Sequence, residues 1–307
     1  MDDASGQMVA PKKLIAARVL DFLAALRRHV EEGCCLPFNM SKAKVVVKCD
    51  LAARALKPTL KAWGIKLVNQ IKLLGVATTA GLSRGTVTWD RIAATAARVP
   101  RCRRLLAGGG KTAGLVKVGL NKQQAWGAGV MGVSDKQLEA MRKTVAKASF
   151  GPLPGNLDLK LCAAGKVSET LDPAFELTLA PLHMWAQAVH LAGRPGEASR
   201  GLLKKALQAA LEKPKARTAG PTKALLQALS RIGWHIVDEV TWLTDDGVLL
   251  DLQYYSPAYI GRVARVSRWR WVSRRTALST GRPDLKRGFW RQPMRDLMRR
   301  APRVGPA

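Results

Sequence analysis

Two adjacent carboxylates, Asp2 and Asp3, are the residues of this sequence whose types and spacing most directly suggest chemistry. An adjacent pair of carboxylates on a tight β-turn can bind divalent metal ions, and a two-metal site is the chemistry of nucleotidyl transfer. Two aspartates near a chain end are also typical of a solvated acidic terminus. The pair alone therefore leaves both interpretations open, and the elements that follow must decide between them.

A glycine-rich segment, residues 108–112 (Gly-Gly-Gly-Lys-Thr), ends like a phosphate-binding P-loop. That motif needs a glycine five positions before Gly110, where this chain has Leu105. A helical pattern rather than a strand also precedes the segment. The sequence therefore predicts a turn between two helices, with Lys111 near a phosphate, rather than an ATPase.

No other set of residues has the spacing of a metal or catalytic site. The five cysteines are odd in number and never spaced Cys-x2-Cys, so we expect reduced thiols and no zinc site. His183 and His190 lie seven positions apart without an acid or cysteine in ligand register, which favours packed or solvent-facing histidines. Residues 245–247 (Asp-Asp-Gly) between two apolar runs predict a hairpin turn rather than a metal pair.

The charge of the chain is strongly positive, with 51 Lys and Arg against 22 Asp and Glu and a formal net charge of +29. Such a field opposes compaction unless a polyanion neutralises it, and phosphate backbones are the usual polyanion. An apolar content of 47% is ample for a core, so the chain is not a disordered polycation. With no run of about 18 apolar residues and no signal peptide pattern, we expect a soluble intracellular protein without a membrane span.

Two segments concentrate the positive charge. Almost no acid accompanies the arginines between Asp90 and Asp135, and residues 262–303 hold fourteen Lys or Arg beside tryptophan and phenylalanine. Arginine beside aromatic rings can contact phosphates while the rings stack on bases or pack inward. The predicted nucleic-acid-binding residues are Arg98, Arg101, Arg103, Arg104, Lys111, Arg268, Arg270, Arg274 and Arg275.

The elements that must position these residues are α and β near the N-terminus and mostly helical afterwards. Apolar periodicity predicts helices over residues 11–32, 51–63, 91–106, 114–126, 134–149, 176–191, 199–211 and 222–232. Ser134, with Gln137 three residues later, is a predicted N-cap. Extended segments are predicted over 43–48, over 65–68 and 71–76 as a hairpin, and over 240–243 and 248–252 as a second hairpin.

The fold class is therefore α+β, mostly α. We expect four regions: 1–80 mixed α and β, 81–150 helical, 151–260 helical with a hairpin, and 261–307 a basic tail rich in arginine and tryptophan. Glycine and proline at residues 151–155 indicate the boundary between the second and third regions.

The order of motifs in the first region resembles the second half of a reverse transcriptase palm. The motifs are Asp2-Asp3, a basic helix, Asn-Met-Ser-Lys-Ala-Lys-Val-Val entering a strand, and Ile-Lys-Leu-Leu-Gly-Val. The resemblance implies that Asp2 and Asp3 bind catalytic Mg²⁺ and that Lys42 lies near the incoming nucleotide as a proton donor to pyrophosphate. It also implies that Leu74 and Gly75 form the primer grip.

The resemblance continues through residues 111–148, which look like the helical thumb region after the palm of non-LTR (LINE-type) retrotransposon polymerases. Residues 220–234 and 241–252 resemble the tail of such elements. Met1 stands where the family has residues leading into the metal-binding hairpin, and the fingers and the other metal-binding palm strand have no counterpart here. The resemblance thus implies a palm remnant with thumb-like helices, truncated at the Asp-Asp hairpin. Such a fragment binds Mg²⁺ poorly and does not polymerise DNA alone.

A second interpretation is a non-catalytic basic protein that binds RNA or DNA, and a third is a protein that binds anionic lipid. Unrelated sequence upstream of the Met1 codon would favour the second, and competition by vesicles would favour the third. A DNA target and the basic clusters at 204–205 and 213–217 indicate a nuclear location.

Overall fold

The structure is a computed structural model that describes residues 10–11, 13–47, 49–68, 70–73, 76–79, 86–151, 157–163, 171–195, 197–212 and 220–280. Helices make up most of it, and the strands are few and short. The predicted class, α+β with mostly α, is confirmed at this level. No helix in the described ranges is long and apolar enough to cross a bilayer.

The chain divides into two compact units, residues 1–84 and 85–307. The described residues of the first unit form two α-helices, a π-helical turn, a short 3₁₀ helix (Met40–Lys42) and four short strands. In order these are α1 (Ile15–Arg28), the π-helical turn (His29–Gly33), the 3₁₀ helix, β1 (Lys44–Val45), α2 (Asp50–Ala62), β2 (Lys66–Leu67), β3 (Gln70–Leu73) and β4 (Val76–Thr79).

The core of the first unit forms where α2 packs against β1 and β2. Leu56 and Leu60 of α2 are fully buried with Val45 and Ile65, and the apolar side of α1 covers them. Helix α2 stops at Ala62 because Gly64 adopts φ +71°, a left-handed conformation that glycine tolerates.

The hairpin predicted over 65–68 and 71–76 was wrong. Strand β2 instead pairs parallel with β1, with the Lys66 and Val68 N–H groups donating to Ala43 and Val45 carbonyl oxygens at 3.3 and 2.9 Å. Because β2 pairs with β1, it does not form a hairpin with the next strand. The hairpin forms instead between β3 and β4, farther along the chain. Residues 74–75 connect those two strands and lie outside the described residues.

The second unit contains helices throughout and one small sheet. Its elements are α3 (Thr86–Ala96), α4 (Val99–Ala107), α5 (Ala113–Leu115), a π-helical segment (Val116–Asn121), α6 (Lys122–Ala125), α7 (Ala128–Met131), α8 (Asp135–Phe150), α9 (Leu157–Ala163), α10 (Pro173–Leu191), α11 (Arg200–Leu211), α12 (Pro221–Ile232), β5 (His235–Ile236), β6 (Thr241–Leu243), β7 (Leu249–Asp251) and α13 (Pro257–Thr280).

The largest core of this unit lies where α10, α12, α13 and the sheet meet. Trp234 and Trp242 are buried at its centre, with ring centroids 6.1 Å apart. A second core joins α4 and the π-helical segment to α8. The parts of the predicted second, third and fourth regions that follow residue 84 therefore share one unit, and each of these two cores contains residues from more than one predicted region.

Two local predictions can be compared directly. The Ser134 hydroxyl accepts the Gln137 N–H at 3.2 Å while the Gln137 side chain accepts the Ser134 N–H at 2.9 Å, which confirms the N-cap of α8. The helix predicted over 91–106 is instead two helices, α3 and α4. Pro100 has no N–H to continue the first helix and lies in the first turn of the second, which begins at Val99.

Candidate nucleic-acid interface

Helix α4 presents four arginines to solvent. Its inner side, with Val99 and Cys102, is buried against α8. At 3.6 residues per turn, Arg101 and Arg104 lie about 60° apart on the opposite, outer side. Arg98, at the N-cap, and Arg103 flank them, and all four side chains are exposed.

The turn after α4 is a tightly closed helix end. The N–H groups of Gly108, Gly109 and Gly110 donate to carbonyl oxygens of Arg104, Leu106 and Leu105, at 3.1, 3.0 and 2.8 Å. Because these donors are used inside the helix end, they cannot cradle a phosphate as a P-loop does. The predicted helix-to-helix turn is confirmed.

The same turn is anchored to the next helix and carries Lys111. The Thr112 hydroxyl is buried and donates to the Ala148 carbonyl oxygen of α8 at 2.9 Å. The Lys111 side chain is exposed beside this anchor. Among the described residues, no carboxylate forms an ion pair with Lys111 or with the four α4 arginines. We call these five cations the α4 basic face.

The arginines predicted on the C-terminal helix have a different environment, and Arg268 requires a correction. Its side chain is 2% exposed, with the guanidinium 4.4 Å from the Trp271 ring centroid and 5.7 Å from that of Phe175. Burial lowers the pKa of Arg268 to about 10, so it stays charged at neutral pH. Arg268 is therefore interior in this structure and is excluded from the candidate interface.

The other three predicted arginines of α13 are partly engaged with carboxylates. Arg270 binds Asp245 and Asp246 at 3.3 and 2.7 Å, and Arg274 lies 3.4 Å from Asp245. A hydrogen bond from the Thr244 hydroxyl, assisted by Arg270, holds the pKa of Asp246 below its ordinary value. Residues 245–247 thus form the predicted hairpin turn, which also ties β6 and β7 to α13.

Arg275 has an exposed side chain and a distant partner. Its Nε lies 3.8 Å from an Asp158 oxygen, and its guanidinium stacks 4.6 Å from the Trp271 ring centroid. Such an exposed arginine on an aromatic ring can still reach a phosphate. Arg274 and Arg275 therefore remain candidate contacts, with part of their charge already compensated.

No pattern in the sequence predicted the buried ion cluster around Arg142. The guanidinium donates to both oxygens of Asp172, at 2.9 and 2.8 Å, and to Asp158 at 2.6 Å. Burial alone lowers the pKa of Arg142, but the two carboxylates outweigh it and the net pKa lies above the ordinary value. These partners come from sequence separations of 16 and 30 residues, which no local pattern connects.

The remaining predicted residues are not brought together by the described parts of the structure. Asp2, Asp3, Leu74 and Gly75 lie outside the described residues. Lys42 ends a short 3₁₀ helix (Met40–Lys42), where its N–H donates to the Asn39 side chain at 3.3 Å and its ammonium group is exposed. Within the described ranges, no cluster of three His, Cys, Asp or Glu has metal-binding geometry.

Comparison of this chain with protein-family models, with curated proteins and with solved structures finds no match.

Proposed function

We propose that this chain binds RNA or DNA through the α4 basic face. The observation that carries the proposal is the set of five exposed cations, Arg98, Arg101, Arg103, Arg104 and Lys111, without a carboxylate partner among the described residues. The sequence from Arg91 to Ser134 contains no acid at all. A cationic surface of this kind gains affinity by releasing counterions from phosphates.

We further propose that the chain descends from the RNA-directed DNA polymerase of a non-LTR retroelement. The support is the order of motifs in the sequence, together with the antiparallel pairing of β3 (Gln70–Leu73) with β4 (Val76–Thr79). In this proposal Asp2 and Asp3 are the Mg²⁺ ligands of the parent enzyme, Lys42 its proton donor, and the α4 basic face a template–primer contact. The second candidate, a non-catalytic binder, rests on the same basic face.

The binding proposal is tested by the salt dependence of affinity. Replacing Arg101 and Arg104 with glutamine removes two phosphate contacts, and each contact contributes about 0.7 to 0.9 to the slope of log K against log salt. We therefore expect the double variant to lower the slope by roughly 1.5 for an RNA–DNA hybrid. Fluorescence anisotropy measures this slope between about 50 and 300 mM salt, a range over which salt increasingly screens such contacts.

The control removes the same charge elsewhere. Lys204 and Lys205 are exposed on α11, and their replacement with glutamine should leave the slope unchanged. Equal slopes for the wild type and the Arg101/Arg104 variant would place the interface elsewhere. Equal losses in both double variants would show that only net charge matters.

The expected catalytic incompetence of this chain is tested by primer extension on an RNA template with Mg²⁺. A two-metal centre needs carboxylates from more than one strand, and the resemblance assigns only Asp2 and Asp3 in this chain. We expect no extension by the 307-residue chain, with a complete reverse transcriptase as positive control. Extension that disappears on replacing Asp2 and Asp3 with asparagine would contradict this incompetence.

Preference among nucleic acids separates the two candidates. Polymerase descent predicts tighter binding to an RNA–DNA hybrid than to duplex DNA of the same sequence and length. Equal affinity for the two duplexes would favour the non-catalytic binder.

A further inference from the structure

The segment between Arg231 and Arg262 is acidic in an otherwise basic chain. It contains no Lys or Arg and five carboxylates, although the chain has 51 basic residues against 22 acids. It folds as β5, β6 and β7, and its charge would repel the phosphates that the α4 basic face attracts. A different kind of partner therefore suits this surface.

The sheet formed by this segment has an apolar side that the described residues do not cover. Ile236, Trp242 and Leu250 face the core, so their neighbours along each strand face outward. The outward residues pair in register, Leu243 with Leu249 and Thr241 with Asp251. Leu249 is 59% exposed, so this antiparallel sheet departs from the usual polar outer side.

One more apolar side chain extends the same surface. Val237, whose N–H donates to the Thr241 carbonyl oxygen at 3.0 Å, follows the core-facing Ile236 and is 59% exposed. We call Val237, Leu243, Leu249 and Asp251 the outer sheet face. A cluster of exposed apolar side chains rimmed by polar residues is typical of an interaction site.

Strand β7 lies at the edge of the described sheet, whose order is β5-β6-β7. The Thr244 N–H donates to Val248 and the Leu252 N–H to Val240, which fixes the alternation of the β6–β7 ladder. By that alternation the N–H and C=O of Leu249 and the N–H of Asp251 point away from β6. These groups can pair with an added strand.

The free charge on this edge is negative. Glu239 and Asp246 are engaged by Arg200 and Arg270, at 3.4 and 2.7 Å. Asp251 is exposed, accepts the Gln253 N–H at 2.8 Å, and has no ion pair with any described residue. At physiological salt the screening length is about 8 Å, so this local carboxylate rather than the net charge of the chain governs what docks here.

We propose that the outer sheet face and the β7 edge bind an extended segment of another protein that carries Lys or Arg two residues from a β-branched side chain. On one face of such a strand, the cation pairs across the edge with Asp251 and the apolar residue with Leu249. This surface is separate from the α4 basic face and does not depend on it.

The experiment uses a fluorescein-labelled peptide of sequence (Lys-Thr-Val-Thr)₂, whose alternation places Lys and Val on the same face of a strand. Anisotropy is measured against the full chain, free of nucleic acid, at about 150 mM salt. We expect this peptide to bind at least about threefold more tightly than (Glu-Thr-Val-Thr)₂ and about tenfold more tightly than (Lys-Thr-Ser-Thr)₂, because each control lacks one of the two contacts.

Two variants test the location. Leu249→Ser should weaken peptide binding about tenfold, since it removes one apolar contact, and Asp251→Asn about threefold. Asparagine keeps an oxygen for the Gln253 N–H, so the Asp251 change isolates charge. Val118→Ser, at a residue 73% exposed on the π-helical segment, is the matched control and should bind like the wild type.

Three outcomes would overturn the proposal. They are equal binding of the acidic peptide, affinity unchanged by Leu249→Ser, and no binding of the Lys–Val peptide. Sedimentation velocity tests whether a second copy of this chain, rather than another protein, occupies the outer sheet face. Self-association that Leu249→Ser abolishes would show that a second copy of this chain covers the face, and it would also overturn the proposal.

Discussion

Individual arginines of this chain have two different environments. Arg142 and Arg268 are both buried, but Arg142 is bound by Asp158 and Asp172 whereas Arg268 lies against the rings of Phe175 and Trp271. A buried ion pair contributes modestly as a unit, yet removing one partner leaves an uncompensated charge in the interior. We therefore expect substitution of Arg142 to destabilise the protein more than substitution of an exposed arginine.

Replacing Arg142 with alanine should lower the free energy of unfolding by about 3 to 5 kcal/mol, because Asp158 and Asp172 lose their common cation. Urea denaturation followed by circular dichroism measures the change. The neighbouring Lys143→Ala is the control, since Lys143 and Glu139 are each 58% exposed and such pairs contribute about 0 to 1 kcal/mol. Similar losses in the two variants would show that the buried cluster does not stabilise the second unit.

The position of Arg268 could have been inferred from spacing but not from charge density. Ile260, Ala264 and Val272 are buried, and Arg268 continues their interval of four residues along α13. A count of basic residues over 262–303 hides that interval. Arg142 differs, because its carboxylates are distant in sequence and only tertiary packing brings them together.

At the scale of elements, local signals predicted the well-capped and tightly turned parts of the fold. Ser134 and Gln137 began α8 as expected, and Asp-Gly formed the turn between β6 and β7. The prediction failed where partners are chosen over distance. Residues 65–68 have the composition of a strand whichever strand they pair with. The sequence alone does not show that β2 pairs with β1 rather than with residues 71–76, because that choice depends on the packing of α2.

The prediction of the site was limited in the same way. Exposed arginines of α4 follow from an acid-free amphipathic helix, whereas the compensation of the α13 arginines does not.

Replacing either of two glycines that follow α4 with alanine should change the stability of the unit, in opposite directions. A Cβ at Gly110 would lie 2.9 Å from the Leu105 carbonyl oxygen, so Gly110→Ala must open the turn and destabilise the unit by about 1 kcal/mol or more. At Gly114 a Cβ meets nothing within 4 Å, and alanine should stabilise helix α5 by about 0.5 to 1 kcal/mol.

Thermal unfolding of the two variants measures this difference in sign. Circular dichroism at about 222 nm follows the loss of helix. A Gly110→Ala protein as stable as the wild type would show that the turn tolerates a wider geometry. If that variant also kept the wild-type salt slope of nucleic-acid binding, the rigidity of the turn would be irrelevant to the α4 basic face.

At the scale of the whole molecule, charge is distributed unevenly between surfaces. The chain carries +29, yet its β5–β7 segment is acidic, and Arg142 and Arg268 are buried. Repulsion among the exposed cations opposes the folded state, and either salt or a bound polyanion relieves it. These two sources of relief depend on salt in opposite ways, because salt weakens polyanion binding.

The melting temperature should therefore rise with salt for the free protein and fall with salt for the protein bound to nucleic acid. Between about 50 and 500 mM NaCl, screening stabilises the free chain, while an oligonucleotide at about 100 times its Kd adds about 2.7 kcal/mol only where binding is tight. Differential scanning fluorimetry with and without an RNA–DNA hybrid measures both trends, with an uncharged peptide nucleic acid as the control ligand.

If the melting temperature rose with salt equally with and without the hybrid, the hybrid would not bind the folded state. If it fell with salt in both samples, charge repulsion would not limit the stability of the free chain. Convergence of the two curves at high salt, with the bound curve falling onto the rising free curve, would tie the charge of the molecule to its proposed partner.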